Sequence, residues 1–208
     1  MQGFVFRYFI PNEDGEPIEA NRDAVFLEAE DAVLDRCVEL FVHRRDLLRK
    51  ISSFDPPLEI HLYQGSTFKD TKDQHYFYGR VTFDGDSRIM ELAVEEILKT
   101  QNSFGEVMDI VAHEMIHVLD YLDDDNGILP GWSVAQVEEF MAARDLVRRS
   151  IMRGKSVIHR YALVSPEEFI AVLGEVYFTQ PEALKDTNII LFELMDTYFH
   201  PPKKTAKR

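Results

Sequence analysis

The residues with the clearest chemical potential are His113-Glu114-Met115-Ile116-His117, which spell H-E-x-x-H. Histidines four apart lie one above the other on the same face of a helix. Both imidazoles can then reach one zinc ion, while the glutamate between them points toward a water bound on that metal. Just before the motif, Val107-Met108-Asp109-Ile110-Val111-Ala112 supplies apolar residues at helical spacing, so the helix it requires is predicted there. Short patterns also recur by chance. Two surface histidines beside a solvated glutamate on an ordinary amphipathic helix would read the same way.

A catalytic zinc site uses three protein ligands and keeps a fourth position for water or substrate, so the two histidines need a third partner. One candidate is Glu168. Ser165 can cap a helix that starts at Pro166, which puts Glu168 in its first turn and allows a His₂Glu site. The same Ser165-x-x-Glu168 spacing is also a capping box, in which the glutamate bonds back to the Ser165 amide and is not free for metal. Metal binding therefore requires Ser165 to cap without that return bond, leaving Glu167 to meet the helix dipole. A second candidate is Asp123, six residues after His117, a spacing that suits chains with a helix-breaking glycine between them. Here that position is Asp120, which bends less cheaply. Glu175, two turns beyond Glu168, is either a carboxylate behind the ligands or an outside candidate for the ligand itself. The acidic run from Asp120 to Asp125 does not fit the EF-hand calcium register, because counting back from Gly127 puts Leu122 where the first aspartate belongs. Acids at a helix end oppose its dipole and ask for a compensating cation.

These residues need elements to hold them. Phe4 to Ile10 reads as a strand, Leu58 to Tyr63 alternates as a half-buried strand, and Tyr76 to Phe83 and Arg88 to Val94 are two more, joined by a turn at Asp84-Gly85-Asp86. A long, broken helical pattern runs from Asn21, as N-cap, to about Lys50, with apolar positions Val25, Leu27, Leu34, Val38, Phe41, Val42 and Leu48. Helices are predicted over Phe104 to Leu122, Ser133 to Arg153 (with Val134, Val137, Phe140, Met141 and Val147 inward), Ser165 to Phe178 and Pro181 to Phe199. Strands gathered early and helices late indicate an α+β fold with a small mixed sheet and a mainly helical C-terminal half.

The chain has 208 residues, 45% of them apolar and 29% charged, which suits a single soluble globular domain over 1–208. A net charge of −14 argues against nucleic acid and against an anionic membrane surface, since both call for a basic footprint. The basic end, residues 203–208, reads as a disordered tail. Cys37 is the sole cysteine, which excludes an intrachain disulfide and suits a reducing compartment; its apolar neighbours predict burial rather than nucleophilic work. The N-terminus lacks the pattern of a signal peptide and no window has the length of a membrane span, so the expected location is cytoplasmic. His43, His61, His75, His159 and His200 lack ligand-like spacing to the motif and are assigned structural roles.

Beyond H-E-x-x-H, spaced pieces follow in order: Leu119-Asp120, Asn126-Gly127-x-x-Pro130, Tyr161-Ala162, Pro166-x-Glu168-Phe169-x-Ala171-Val172, Glu175-x-x-Phe178-x-x-Pro181-x-x-Leu184 and Tyr198-Phe199. With these the chain resembles the zinc peptidases of the Mlc titration factor A type, a gluzincin family related in its catalytic domain to anthrax lethal factor. The resemblance covers about Tyr76 to His200. The first hundred residues match poorly, residues 1–75 being the divergent part, and Pro201-Pro202 departs from the family's usual close. The resemblance implies a zincin-like fold in which one zinc ion is held by His113, His117 and Glu168, Glu114 is the general base, and Tyr161 stands near the catalytic water.

The residues by themselves support the same chemistry. Zinc lowers the pKa of its water and polarises the scissile carbonyl. Glu114 takes the proton and passes it to the leaving amine. Tyr161 can donate to the oxyanion, unless it is simply a core aromatic. Asp120 is a candidate acceptor fixing an imidazole tautomer, or else an exposed carboxylate at a helix end. The strand from Tyr76 to Phe83 is either an edge to which an extended peptide adds or ordinary sheet. The expected function is a zinc-dependent metallopeptidase acting on a peptide or protein substrate. The alternative is a zinc-binding regulator of the same fold that sequesters a protein partner, such as a transcriptional repressor.

Overall fold

The computed structural model describes residues 3–69, 75–102, 108–122 and 125–202. The chain opens with β1 (Phe4–Pro11), β2 (Pro17–Glu19), α1 (Ala24–Phe41), α2 (Arg45–Ser52) and β3 (Leu58–Tyr63). There follow β4 (Phe68–Lys69), β5 (Tyr76–Phe77), β6 (Gly79–Asp84), β7 (Ser87–Ala93) and α3 (Val94–Asn102). The rest is helical: α4 (Ile110–Tyr121), α5 (Val134–Met152), a 3₁₀ turn (Arg160–Leu163), α6 (Pro166–Thr179), α7 (Pro181–Thr187) and α8 (Ile189–Phe199). The fold is α+β, as the order of patterns predicts.

Five strands form one sheet in the order β2-β1-β3-β7-β6. β1, β3 and β7 run parallel, while β2 and β6 flank them antiparallel. The sheet is therefore mixed, with β6 as a terminal strand. Leu58, Ile60, Leu62, Met90 and Leu92 are fully buried on the helix-covered face, the period of two expected of a strand. On the other face Phe9, Tyr63, Phe68 and Phe77 stack in series, covered by the small β4–β5 ladder. There Glu91 accepts from the Tyr63 hydroxyl and from Arg80.

Several local expectations are corrected. The first helix starts from Asp23, whose carboxylate accepts from the amides of Val25 and Phe26, rather than from Asn21. Its buried stripe is Phe26, Ala29, Val33, Cys37 and Leu40, while Val25, Leu27, Val38 and Val42 are exposed. Phe41, also named in the expected pattern, is buried, and Leu48 packs partly buried against the core, so the expected set mixed the buried and exposed sides of the helix. Val134 and Met141 of α5 likewise point outward. The Pro181-to-Phe199 helix is two helices divided at Asn188, whose side chain caps the second by accepting from the Leu191 amide. Helix α3 occupies a stretch for which no element was predicted. The helix carrying the motif begins at Ile110, capped by Asp109; residues 103–107, the first part of the predicted span, lie outside the described residues. So does the tail at 203–208. No helix among the described residues is long and apolar enough to cross a membrane.

Candidate metal centre

Two helices and one 3₁₀ turn bring the site together. α4 is buried on almost every side, with Ile110 through Ile116 all enclosed, so His113 is held by packing while His117 is partly exposed. His113 is 4% exposed and Glu114 3% exposed. The two histidine rings lie edge to face, with centroids 5.0 Å apart. Ser165 caps α6 by accepting from the Glu168 amide at 3.1 Å. The Glu168 carboxylate is turned instead toward the histidines, so the capping-box alternative gives way: Oε2 lies 3.2 Å from His113 Nε2 and 3.6 Å from His117 Nε2.

These separations fit a metal. Ligand atoms at the corners of a tetrahedron with bonds of about 2.0–2.1 Å stand roughly 3.3 Å apart, and the two measured distances bracket that length. His113, His117 and Glu168 are the only group of three such ligands found among the described residues. Asp123, the rival third ligand, lies outside the described residues.

The electrostatics agree with the geometry. Burial pushes the Glu168 carboxyl up, but the two imidazoles outweigh it and hold the group at about 2. Burial likewise pulls His113 down, yet Glu168 and Glu175 raise it to about 10. The proton that these carboxylates hold on His113 is what a divalent cation would displace. Burial raises the Glu114 carboxyl above its ordinary value, against the pull of the two histidines. A base with raised affinity for a proton is suited to accept one and carry it.

Tyr161, on the 3₁₀ turn, is 46% exposed and is therefore no core aromatic. Its hydroxyl donates to Glu168 Oε1 at 3.0 Å, and burial together with Glu168 raises its pKa to about 12. Glu175 stands behind His113: Oε2 faces Nδ1 at 3.5 Å, an electrostatic contact longer than a well-formed hydrogen bond. Asp120 does something neither expectation covered. It is fully buried and accepts from the amides of Asn126, Gly127 and Ile128, pinning the loop after α4. Those amides supply the compensation that the acidic helix end was expected to seek from a cation.

A cleft of about 490 Å³ opens over the site between β6 and α4. Its wall includes Gly79, where a Cβ would fall 2.6 Å from Glu114 Oε1. At its other end Phe83 stacks on Tyr121. Two glycines that sequence reasoning passed over bear on the site: Gly79 here, and Gly174 of α6, which packs directly against Ile116 of α4. Their signal was only a small residue inside an element.

A profile of the glucose-regulated metallopeptidase M90 family matches residues 47–200. The chain belongs to this family. This is the Mlc titration factor A family, so the resemblance carried by the spaced motifs is borne out. The matched span begins well ahead of Tyr76, taking in most of α2 and all of β3, while β1 and β2 lie before it. Membership in the M90 family implies a metallopeptidase-type function, a metal ion and a peptide or protein substrate. No curated protein matches the chain.

Proposed function

We propose that the chain is a zinc-dependent metallopeptidase that hydrolyses peptide bonds, with His113, His117 and Glu168 as the metal ligands and Glu114 as the general base. The observation that carries this reading is Glu168 Oε2, turned away from its own helix cap to stand 3.2 Å from His113 Nε2 and 3.6 Å from His117 Nε2. Two imidazoles and one carboxylate make a donor set typical of catalytic zinc. When bound, zinc supplies Lewis acidity, which lowers the pKa of water and polarises a carbonyl.

The remaining steps belong to the chain. Glu114 accepts a proton from the attacking water and delivers it to the leaving amine; its burial raises its affinity for that proton. Tyr161 serves the oxyanion by exchanging its present bond to Glu168 Oε1 for one to the substrate. β6, a terminal strand lining the cleft, offers main-chain groups to an extended peptide, and Gly79 leaves room for it next to Glu114.

The test is a pair of substitutions. Glu168→Ala is expected to lose zinc, read by elemental analysis of protein purified without chelator. Glu114→Gln is expected to keep stoichiometric zinc and lose about 10²- to 10⁴-fold in hydrolysis of a generic peptide. Wild-type protein free of zinc, or Glu114→Gln with full activity, overturns the proposal.

A further inference from the structure

We infer that Arg36, on helix α1 and outside the span matched to the family, is a positioning residue for the metal centre that acts through Asp109. Its Nε donates to Asp109 Oδ2 at 2.6 Å, and its Nη2 lies 2.6 Å from the same oxygen. Asp109 is fully buried, whereas the Arg36 side chain is 21% exposed. A buried carboxylate without its counter-charge is costly, so this pair decides where Asp109 sits.

Asp109 is connected in turn to His113 by two routes. Along the backbone, Asp109 Oδ1 caps α4 by accepting from the Ala112 amide at 3.0 Å, and its carbonyl accepts from the His113 amide at 2.9 Å. Through side chains, the Asp109 amide donates to Glu175 Oε1 at 3.3 Å, and Glu175 Oε2 faces His113 Nδ1 at 3.5 Å. The guanidinium also lies over the Phe178 ring, 5.5 Å from its centroid, on the same helix as Glu175 and Glu168. One cation therefore touches the start of α4 and the side of α6, the two helices that carry all three ligands. The partner behind a ligating imidazole sets its tautomer and orientation, and losing such a partner typically weakens metal binding about 10- to 100-fold. The N-terminal helix is thus part of the site's scaffold.

The inference rests on the zinc reading proposed above, and the experiment separates the two. Zn²⁺ affinity is measured by competition with a chromophoric chelator on folded protein, with circular dichroism to verify the fold. The variants are Arg36→Met, Asp109→Asn, their double, and Arg44→Met. Asparagine retains the shape and capping ability of the aspartate. Arg44 ties the α1–α2 turn to α8, which carries no ligand, by donating to the Tyr198 carbonyl at 2.7 Å. Arg36→Met and Asp109→Asn are each expected to weaken Zn²⁺ binding about tenfold, and the double no further than the weaker-binding single. Arg44→Met is expected to lower Tm and leave Zn²⁺ affinity unchanged. Unchanged affinity in folded Asp109→Asn, or additive losses in the double, overturns the inference. Should Arg36→Met not fold, Asp109→Asn decides alone. Wild-type protein that takes up no Zn²⁺ overturns the zinc reading and this inference together, whereas normal wild-type uptake with unaffected variants overturns this inference only.

Discussion

Gly174 of α6 lies so close to Ile116 of α4 that a Cβ there would fall 2.5 Å from Ile116 Cγ1. The missing side chain sets the distance between the helix that carries the histidines and the one that carries Glu168. In an exposed helix, replacing glycine by alanine stabilises by about 1 kcal/mol. Here the sign reverses, because Cγ1 of a β-branched residue in a helix has essentially one rotamer and cannot swing away. Gly174→Ala is expected to cost about 1–3 kcal/mol and to weaken metal binding by displacing Glu168. Thermal melts and chelator competition read the two effects separately.

Tyr161→Phe tests the hydroxyl that now bonds Glu168 Oε1. A phenol that serves the oxyanion contributes only in the transition state. The expected result is a fall of about 10²-fold in kcat with KM little changed. Because the ring is half exposed, stability should move by no more than about 1 kcal/mol. A fall in metal content with kcat per bound metal unchanged would assign the hydroxyl to holding the ligand.

Asp120→Ala removes the acceptor shared by the amides of Asn126, Gly127 and Ile128. Gly127 and its amide are buried, so the orphaned donors cost about 2–4 kcal/mol. Gly127 packs against Pro166, the first residue of α6, so the loss should also reach Glu168. Denaturant melts would register the stability loss, and metal titration the second effect.

Metal uptake should release protons in a distinctive window. His113 in the metal-free protein is raised to about 10 from an ordinary 6.5, so at pH 8 it still carries the proton that a metal must displace. Calorimetry in buffers of different ionisation enthalpy should find nearly one proton released per metal at pH 8, where an ordinary histidine would release almost none. The same shifts set the stability of the metal-free form. The raised His113 contributes stability that is complete below pH 6.5 and lost as pH rises through about 10. The depressed Glu168 contributes stability that is complete above pH 4.5 and lost as pH falls through about 2. Metal-free protein should therefore be favoured most by this cluster between those two ordinary values, and weaken on the alkaline side. A stability profile flat from pH 7 to 10 would contradict it.

The sequence by itself determined what depends on neighbours along the chain. Two histidines one helical turn apart share a face wherever that helix goes, and Ser165-Pro166 starts a helix with Glu168 in its first turn. The strand and helix periods that set the α+β order are local in the same sense. Only the tertiary structure decided what depends on which faces meet. It turned Glu168 from a possible cap toward the imidazoles, gave Asp120 to a loop instead of a histidine, divided the last helical stretch at Asn188, and chose the alanine- and cysteine-bearing face of α1 for burial. It also joined Arg36 to Asp109 and set Gly174 against Ile116, contacts across 73 and 58 positions of sequence. Periodicity records which residues lie side by side on one element. The pairing of elements follows from the packing of the whole core, and no single segment carries that information.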